Sequence, residues 1–251
     1  MKPHLPSFAL VVLTLALAGC STYLPPGAKA DLQEFAPPDI QKAFAAKPTH
    51  PFPASIAMVR VQAPGYTNYH LRRYGGQYGN GRYSVVLNRE VEDESHLARI
   101  TALPEVNGVV TLNRMLLPPE LRGEKEVREA AARLHADLVF LYTFDTSFVD
   151  HNAAKPLSVI TLGFAPSRKI MAVTTVSGLL VDTRTGYVYA AYETTGREAT
   201  LATSWGSEEA ADQCRRETER RAFGKLVDEV AASWPKLLER AGPKTAVARA
   251  P

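Results

Sequence analysis

The chain has 251 residues, 45% of them hydrophobic and 22% charged, and its 29 Lys and Arg against 26 Asp and Glu leave a formal net charge of +3. Those are the values of an ordinary globular protein, so disorder by composition is excluded, and so small a charge gives no ground for a nucleic-acid partner. Two cysteines, Cys20 and Cys214, exclude a disulfide-stapled scaffold.

The first residues, MKPHLPSFALVVLTLALAGCST, set a positive charge at Lys2 before an apolar run from Phe8 to Ala18. This predicts a secretory signal peptide over residues 1–19, its apolar run too short for a membrane span. Leu17-Ala18-Gly19-Cys20 resembles the bacterial lipobox, in which the cysteine sulfur receives diacylglycerol and the chain is cut before it. The resemblance implies a mature chain that starts at an acylated Cys20. Three acyl chains, at about 0.8 kcal/mol per buried methylene, exceed what stable anchoring requires. Ser21, standing where an Asp would retain such a lipoprotein at the inner membrane, implies the periplasmic leaflet of an outer membrane. With Cys20 carrying lipid, Cys214 has no intramolecular partner in that oxidising compartment.

Residues 20–53 carry Pro25-Pro26, Pro37-Pro38, Pro48, Pro51 and Pro53 among few large apolar residues. They read as a semi-rigid tether reaching about 3 Å per residue where extended, interrupted by a short helix from Ile40 to Ala46. A single α/β domain is expected over residues 54–240, followed by a disordered tail over 241–251.

Within the domain, Ala54 to Gln62 reads as a strand, Ile56, Met58 and Arg60 alternating with Ala57, Val59 and Val61. Next comes GYTNYHLRRYGGQYGNGRY, Gly65 to Tyr83. It lacks the third glycine of a dinucleotide loop and the GxxxxGK[ST] of a P-loop. Tyr66, Tyr69, Tyr74, Tyr78 and Tyr83 beside Arg72, Arg73 and Arg82 have the composition of a recognition loop: large amphipathic contacts of low entropic cost, with directed donors. These eight residues are the candidate partner-binding surface, for an envelope protein or glycan.

Arg82 to Asn88 is the second strand candidate, Glu92 to Leu103 a short helix, and Gly108 to Leu112 another strand. Val127, Ala130, Ala131 and Leu134 make one apolar helical face. Asp137 to Asp150 opens with a continuously apolar run, as in a strand covered on both faces, and is the expected central strand. Leu157 to Ala165 and Lys169 to Asp182 read as strands, followed by Gly186 to Glu193. Between the last two, DTRTG is a hairpin loop with Gly186 placed for positive φ. A long helix from Ser207 to Arg240 closes the domain, its apolar stripe running Ala211, Cys214, Thr218, Ala222, Leu226, Val230, Trp234 and Leu237. Cys214 on that stripe reads as a buried, inert thiol. The element order predicts an α/β fold, a mixed β-sheet packed by helices.

From His96 to Trp234 the succession VVTLNRMLLPPEL, AARLHADLVFLYTF, GLLVDTRTGYVYAAYETTG and a Glu/Arg-rich closing helix resembles the rhombotarget lipoprotein family. More distantly the layout is similar to the periplasmic lipoproteins that activate penicillin-binding proteins or form the curli secretion channel. The resemblance implies an anticodon-binding-like sandwich of sheet and helices and a non-catalytic envelope role. It brings no catalytic residues and no cofactor. The chain departs from the family at its C-terminus, where ERAGPKTAVARAP has no apolar span to process.

No GxSxG elbow or HExxH spacing occurs, and His50, His70, His96, His135 and His151 are scattered, so neither a metal nor a cofactor is expected. The nearest acid–base grouping is Asp145, Asp150 and His151, at the end of the expected central strand; it supports an alternative reading as an envelope hydrolase. A second alternative takes the apolar segments 157–165 and 170–181 as membrane hairpins of an oligomeric secretion-channel-like lipoprotein. The favoured reading is a non-enzymatic adaptor or assembly factor.

Overall fold

The computed structural model of the chain describes residues 29, 40–49, 52–152, 168–202 and 207–241. The signal peptide, Cys20, the strand expected over Leu157 to Ala165 and the tail beyond Ala241 lie outside the described residues.

A short helix, α1 (Ile40–Ala45), precedes the sheet. Strand β1 (Ala54–Gln62) has its predicted bounds. Helix α2 (Tyr69–Tyr74) and two-residue strands β2 (Gln77–Tyr78) and β3 (Asn80–Gly81) occupy the tyrosine-rich stretch. Then come β4 (Ser84–Val86), α3 (Glu94–Thr101), β5 (Val106–Thr111), β6 (Glu120–Leu121) and α4 (Glu124–Arg133). Strands β7 (Leu138–Asn152), β8 (Arg168–Asp182) and β9 (Val188–Ala202) form a long meander, and α5 (Ser207–Ala241) closes the domain.

The main sheet runs β2-β4-β1-β7-β8-β9, with β5 also paired to β1. It is mixed: β1 lies parallel to β5 and β7 and antiparallel to β4, while β7, β8 and β9 are antiparallel. β4 takes Arg60 to Gln62 of β1 and β5 takes Ala54 to Met58, so the two meet end to end along one edge of β1. Helices cover both faces. Ile56 and Met58 of β1 and Leu138, Phe140, Tyr142 and Phe144 of β7 pack with Phe223, Leu226, Val230 and Trp234 of α5. On the other face, Ala57, Val59, Val61, Val139 and Leu141 pack with Val127, Ala130 and Ala131 of α4. β7 therefore needs apolar residues at odd and even positions alike, which explains its unbroken apolar run.

The predicted hairpin joins β8 to β9: Gly186 donates its N–H to the Asp182 carbonyl at 2.9 Å with φ of 74°, and the Asp182 carboxylate accepts from the amides of Arg184 and Thr185. β9 continues well past Glu193, where the expected strand ends. Its far half carries no apolar alternation: on the α5 side Thr194 donates to the Ala222 carbonyl, Glu198 pairs with Arg221, and a Cβ on Gly196 would stand 2.7 Å from the Thr218 carbonyl oxygen, too close for any larger side chain. Every residue of the predicted α5 stripe is buried, and so is a second line, Asp212, Arg215, Glu219, Phe223 and Val227.

The end of the proline-rich segment is bound to the domain. Thr49 donates from its amide (2.9 Å) and hydroxyl (2.6 Å) to Asp182. Phe52 packs edge-on against Tyr189 and Trp234, at centroid distances of 6.2 and 6.0 Å, and Asn107 donates to the Pro53 carbonyl.

Candidate functional site

The stretch from Gly65 to Tyr83 divides into an anchored base and an exposed tip. Asn68 caps α2, its side-chain oxygen accepting from the Leu71 amide at 2.7 Å, and Leu71 is buried beneath the helix. Tyr66 and Tyr83 are core residues, at 2% and 1% exposure, which corrects their assignment to a partner surface. The Tyr66 hydroxyl accepts from Arg60 and Asn68, and the Tyr83 hydroxyl donates to the Gly123 carbonyl at 2.6 Å. Both rings fill space under β1 and β4, and alternation around glycines gives no sign of which tyrosines turn inward. Tyr78 is half-buried and donates to the Leu117 carbonyl; Arg82 lies exposed beside β3.

The tip is α2 itself. Arg73 donates to the Tyr69 hydroxyl at 3.2 Å and lies 5.8 Å from the Tyr74 ring centroid. Tyr74 is 65% exposed and packs on His70, and Arg72 pairs with Glu208 of α5 at 3.5 Å. Of the eight predicted contact residues, Tyr69, Arg72, Arg73 and Tyr74 thus share one small surface.

Below this tip lies a buried ionic network absent from the sequence-based expectations. Arg215 of α5 donates to Glu219 (2.6 Å), Glu90 (2.9 Å) and Asp212 (2.9 to 3.0 Å). Arg60 of β1 reaches Glu219 at 3.2 Å and lies over the Phe144 ring at 4.5 Å. Its Nη1 stands 3.9 Å from both Glu90 and Glu92. Asn68 donates to Glu90, which ties the cap of α2 directly into the network. A hint was present in the sequence: Asp212, Arg215 and Glu219 recur at helical spacing in line with Phe223 and Val227, one step around from the apolar stripe.

Two buried guanidinium groups thus face four buried carboxylates. Burial opposes charge on Arg60 and Arg215, yet Glu219, Glu90 and Tyr66 nearby hold both above the ordinary guanidinium range. Burial also works to raise Glu90, but Arg215 and Arg60 outweigh it and leave its carboxyl below the usual value. At Glu92 burial wins and the carboxyl is raised, against the pull of Arg60 and the hydrogen bond from Tyr142. A raised carboxyl stabilises the fold in acid and loses that contribution as pH climbs from about 4.3 through the folded value. Glu92→Gln is therefore expected to leave stability unchanged or up to about 1 kcal/mol higher at pH 7.5, with no gain at pH 4. Urea melts at the two pH values measure it.

Beside Arg60 and Glu92, where β4 and β5 meet, lies a cavity of about 30 Å³ also lined by Tyr142, Arg89, Met58 and Leu97. Arg60 Nε and Nη1 and Glu92 Oε2 have no hydrogen-bond partner among the described residues. The space suits about two waters bridging these groups and is far too small for a metabolite.

Asp145 is exposed in mid-strand opposite Thr175. The ladder runs unbroken from there to Asp150 and His151, so the backbone at Asp150 is about 17 Å away at the usual strand rise. The side chains of Asp150 and His151 lie outside the described part of the structure. Cys214 is buried with its sulfur 3.9 Å from the Ile170 carbonyl, and burial raises its thiol, as an inert cysteine requires. Among the described residues no group of three or more His, Cys, Asp or Glu could hold a metal ion, and no helix is long and apolar enough to cross a membrane.

No protein-family model and no curated protein matches the chain. Solved structures similar to it include a Xanthomonas campestris protein of family DUF330, at 10% identity over 76% of this chain and 93% of that one, TM-score 0.37. A minor lipoprotein from Acinetobacter baumannii is similar at 8% identity over 72% and 94%, TM-score 0.33. Lipoprotein GNA1162 from Neisseria meningitidis is similar at 12% identity over 73% and 99%, TM-score 0.30.

Proposed function

We propose that the chain is an envelope lipoprotein, held to the periplasmic leaflet of an outer membrane through acylated Cys20, whose α/β domain is a non-enzymatic adaptor or assembly factor. The observation that carries the adaptor reading is the α2 tip. Tyr69, Arg72, Arg73 and Tyr74 are grouped at the surface on a helix whose cap is tied into the buried network. A contact surface mounted in this way loses little freedom on binding, and its guanidinium groups suit a partner that presents carboxylates beside an apolar or planar group. An acidic segment of an envelope protein or an acidic glycan has that chemistry.

A photo-crosslinking amino acid at position 74 in living cells is expected to give a discrete adduct that is lost when Arg72 and Arg73 are replaced by alanine. The same probe at Met115, which is 84% exposed on another surface, is expected to give none. An adduct insensitive to the arginines, or shared by both positions, overturns the reading. Separately, Cys20→Ala is expected to abolish incorporation of a fatty-acid label and, because the cut before the acylated cysteine no longer occurs, to leave a larger precursor on a denaturing gel.

A further inference from the structure

β9 is an edge strand: among the described residues nothing pairs with its outer side. At 15 residues it spans about 50 Å. Exposed edges are usually blunted by shortness, charged side chains, proline or bulges. β9 has no proline, and its ladder is regular from Ala202 back to Ala190, the single irregularity lying at Leu180/Val181 of β8. Its odd-numbered residues Ala191, Glu193, Thr195, Arg197, Ala199 and Leu201 are exposed on one face, while Tyr192 and Gly196 are buried on the α5 side.

The odd-numbered peptide groups are the ones turned to the open edge. The Thr175 and Thr195 hydroxyls approach to 3.2 Å, as side chains do in a pair that exchanges no ladder hydrogen bonds. The Thr195 carbonyl meanwhile accepts from Lys225 at 2.8 Å.

We propose that this edge pairs with β9 of a second copy of the chain, antiparallel about a two-fold axis at Thr195. In that register Glu193 of each copy faces Arg197 of the other, Ala191 faces Ala199, and Thr195 faces itself. The exposed residues remain on one face, as the pleat demands. Shifted by two residues, Glu193 would face Thr195 or Ala199, and both charge pairs would be lost. Arg197 has no hydrogen-bond or ion-pair partner within its own chain among the described residues, whereas Glu193 is already held by Ser177 at 3.0 Å. Cross-strand pairs of opposite charge stabilise a ladder and like charges destabilise it. A self-complementary patch of this kind is what a two-fold interface requires. On pairing, an amide of the second strand replaces Lys225 at the Thr195 carbonyl. The pairing goes beyond the adaptor reading and stands without it.

The test uses the full chain in its native membranes with Thr195→Cys and a short bis-maleimide. A crosslinked dimer is expected, and none is expected from Asp145→Cys, which is exposed on the same face two strands inward. Adding Glu193→Arg or Arg197→Glu is expected to cut the crosslinked fraction roughly five-fold or more, since each reversal sets like charges opposite each other at two places. The two reversals together are expected to restore it. These positions are solvent-exposed, and circular dichroism of each purified variant confirms that it folds. Absence of the Thr195 crosslink in folded protein, or a crosslink indifferent to the single reversals, overturns the proposal.

Discussion

Arg215→Met is expected to lower the free energy of unfolding by about 3–5 kcal/mol, the range for removing one partner of a buried ion pair. Arg215 is fully buried and is the common donor to Glu219, Glu90 and Asp212. Methionine fills much of its volume but leaves three carboxylates with Arg60, the half-exposed Arg216 and, beside Glu90 at 3.7 Å, His70 as the nearby basic groups. Because the deficit is uncompensated negative charge, it should shrink as the solution is acidified and protons take the place of the lost cation. Arg216→Met, with 35% of its side chain exposed and a single carboxylate partner, should cost no more than about 1 kcal/mol. Urea denaturation at pH 5 and pH 7.5 measures both. A loss at Arg215 as small as that at Arg216 would mean that the network is solvated.

Trp234→Ala is expected to cost a similar amount, about 3–5 kcal/mol, through a different mechanism. The indole is completely buried between α5 and the sheet. Its Nε1–H donates to the Pro104 carbonyl at 2.8 Å, and its ring is one of the two against which Phe52 packs. Truncation opens a large apolar cavity and unpairs a carbonyl, and it also loosens the hold on the segment at Phe52. Limited proteolysis should therefore cut this segment in the variant under native conditions that leave the parent intact. Calorimetry gives the stability change, and protease sensitivity separates the loss of the clamp from a uniform weakening.

Much of the fold was legible in the sequence because its strands and helices obey the period of the surface that buries them. Ala54 to Gln62, the apolar run after Asp137, the DTRTG turn and the α5 stripe all declare themselves in this way. The far half of β9 did not, because its α5-facing side carries Thr194, hydrogen-bonded to the Ala222 carbonyl, Gly196, where α5 leaves no room for a side chain, and Glu198, paired with Arg221, instead of large apolar residues. The ionic network was hidden for a related reason. Arg60 stands at the place in β1 where alternation calls for an inward apolar side chain, and Asp212, Arg215 and Glu219 look like the wet side of a helix. Only the fold shows that charges distant in sequence converge and satisfy one another. Among the tyrosines, composition identified a stretch rich in contact-forming groups, but burial of Tyr66 and Tyr83 is decided by β1, β4 and the start of α4, which the local sequence does not encode.

The clamp made by Thr49 and Phe52 also decides how a mechanical load would enter the domain. A pull entering from the N-terminal side of Thr49 meets the hydrogen bonds to Asp182 first, then the Phe52 ring wedged against Tyr189 and Trp234, and only then β1. β1 lies inside the sheet, parallel to β5 and β7, so tension along its axis must shear both ladders together instead of unzipping one bond at a time. A strand that begins just after this clamp, flanked on both sides, transmits force into the centre of the fold without peeling away its edge.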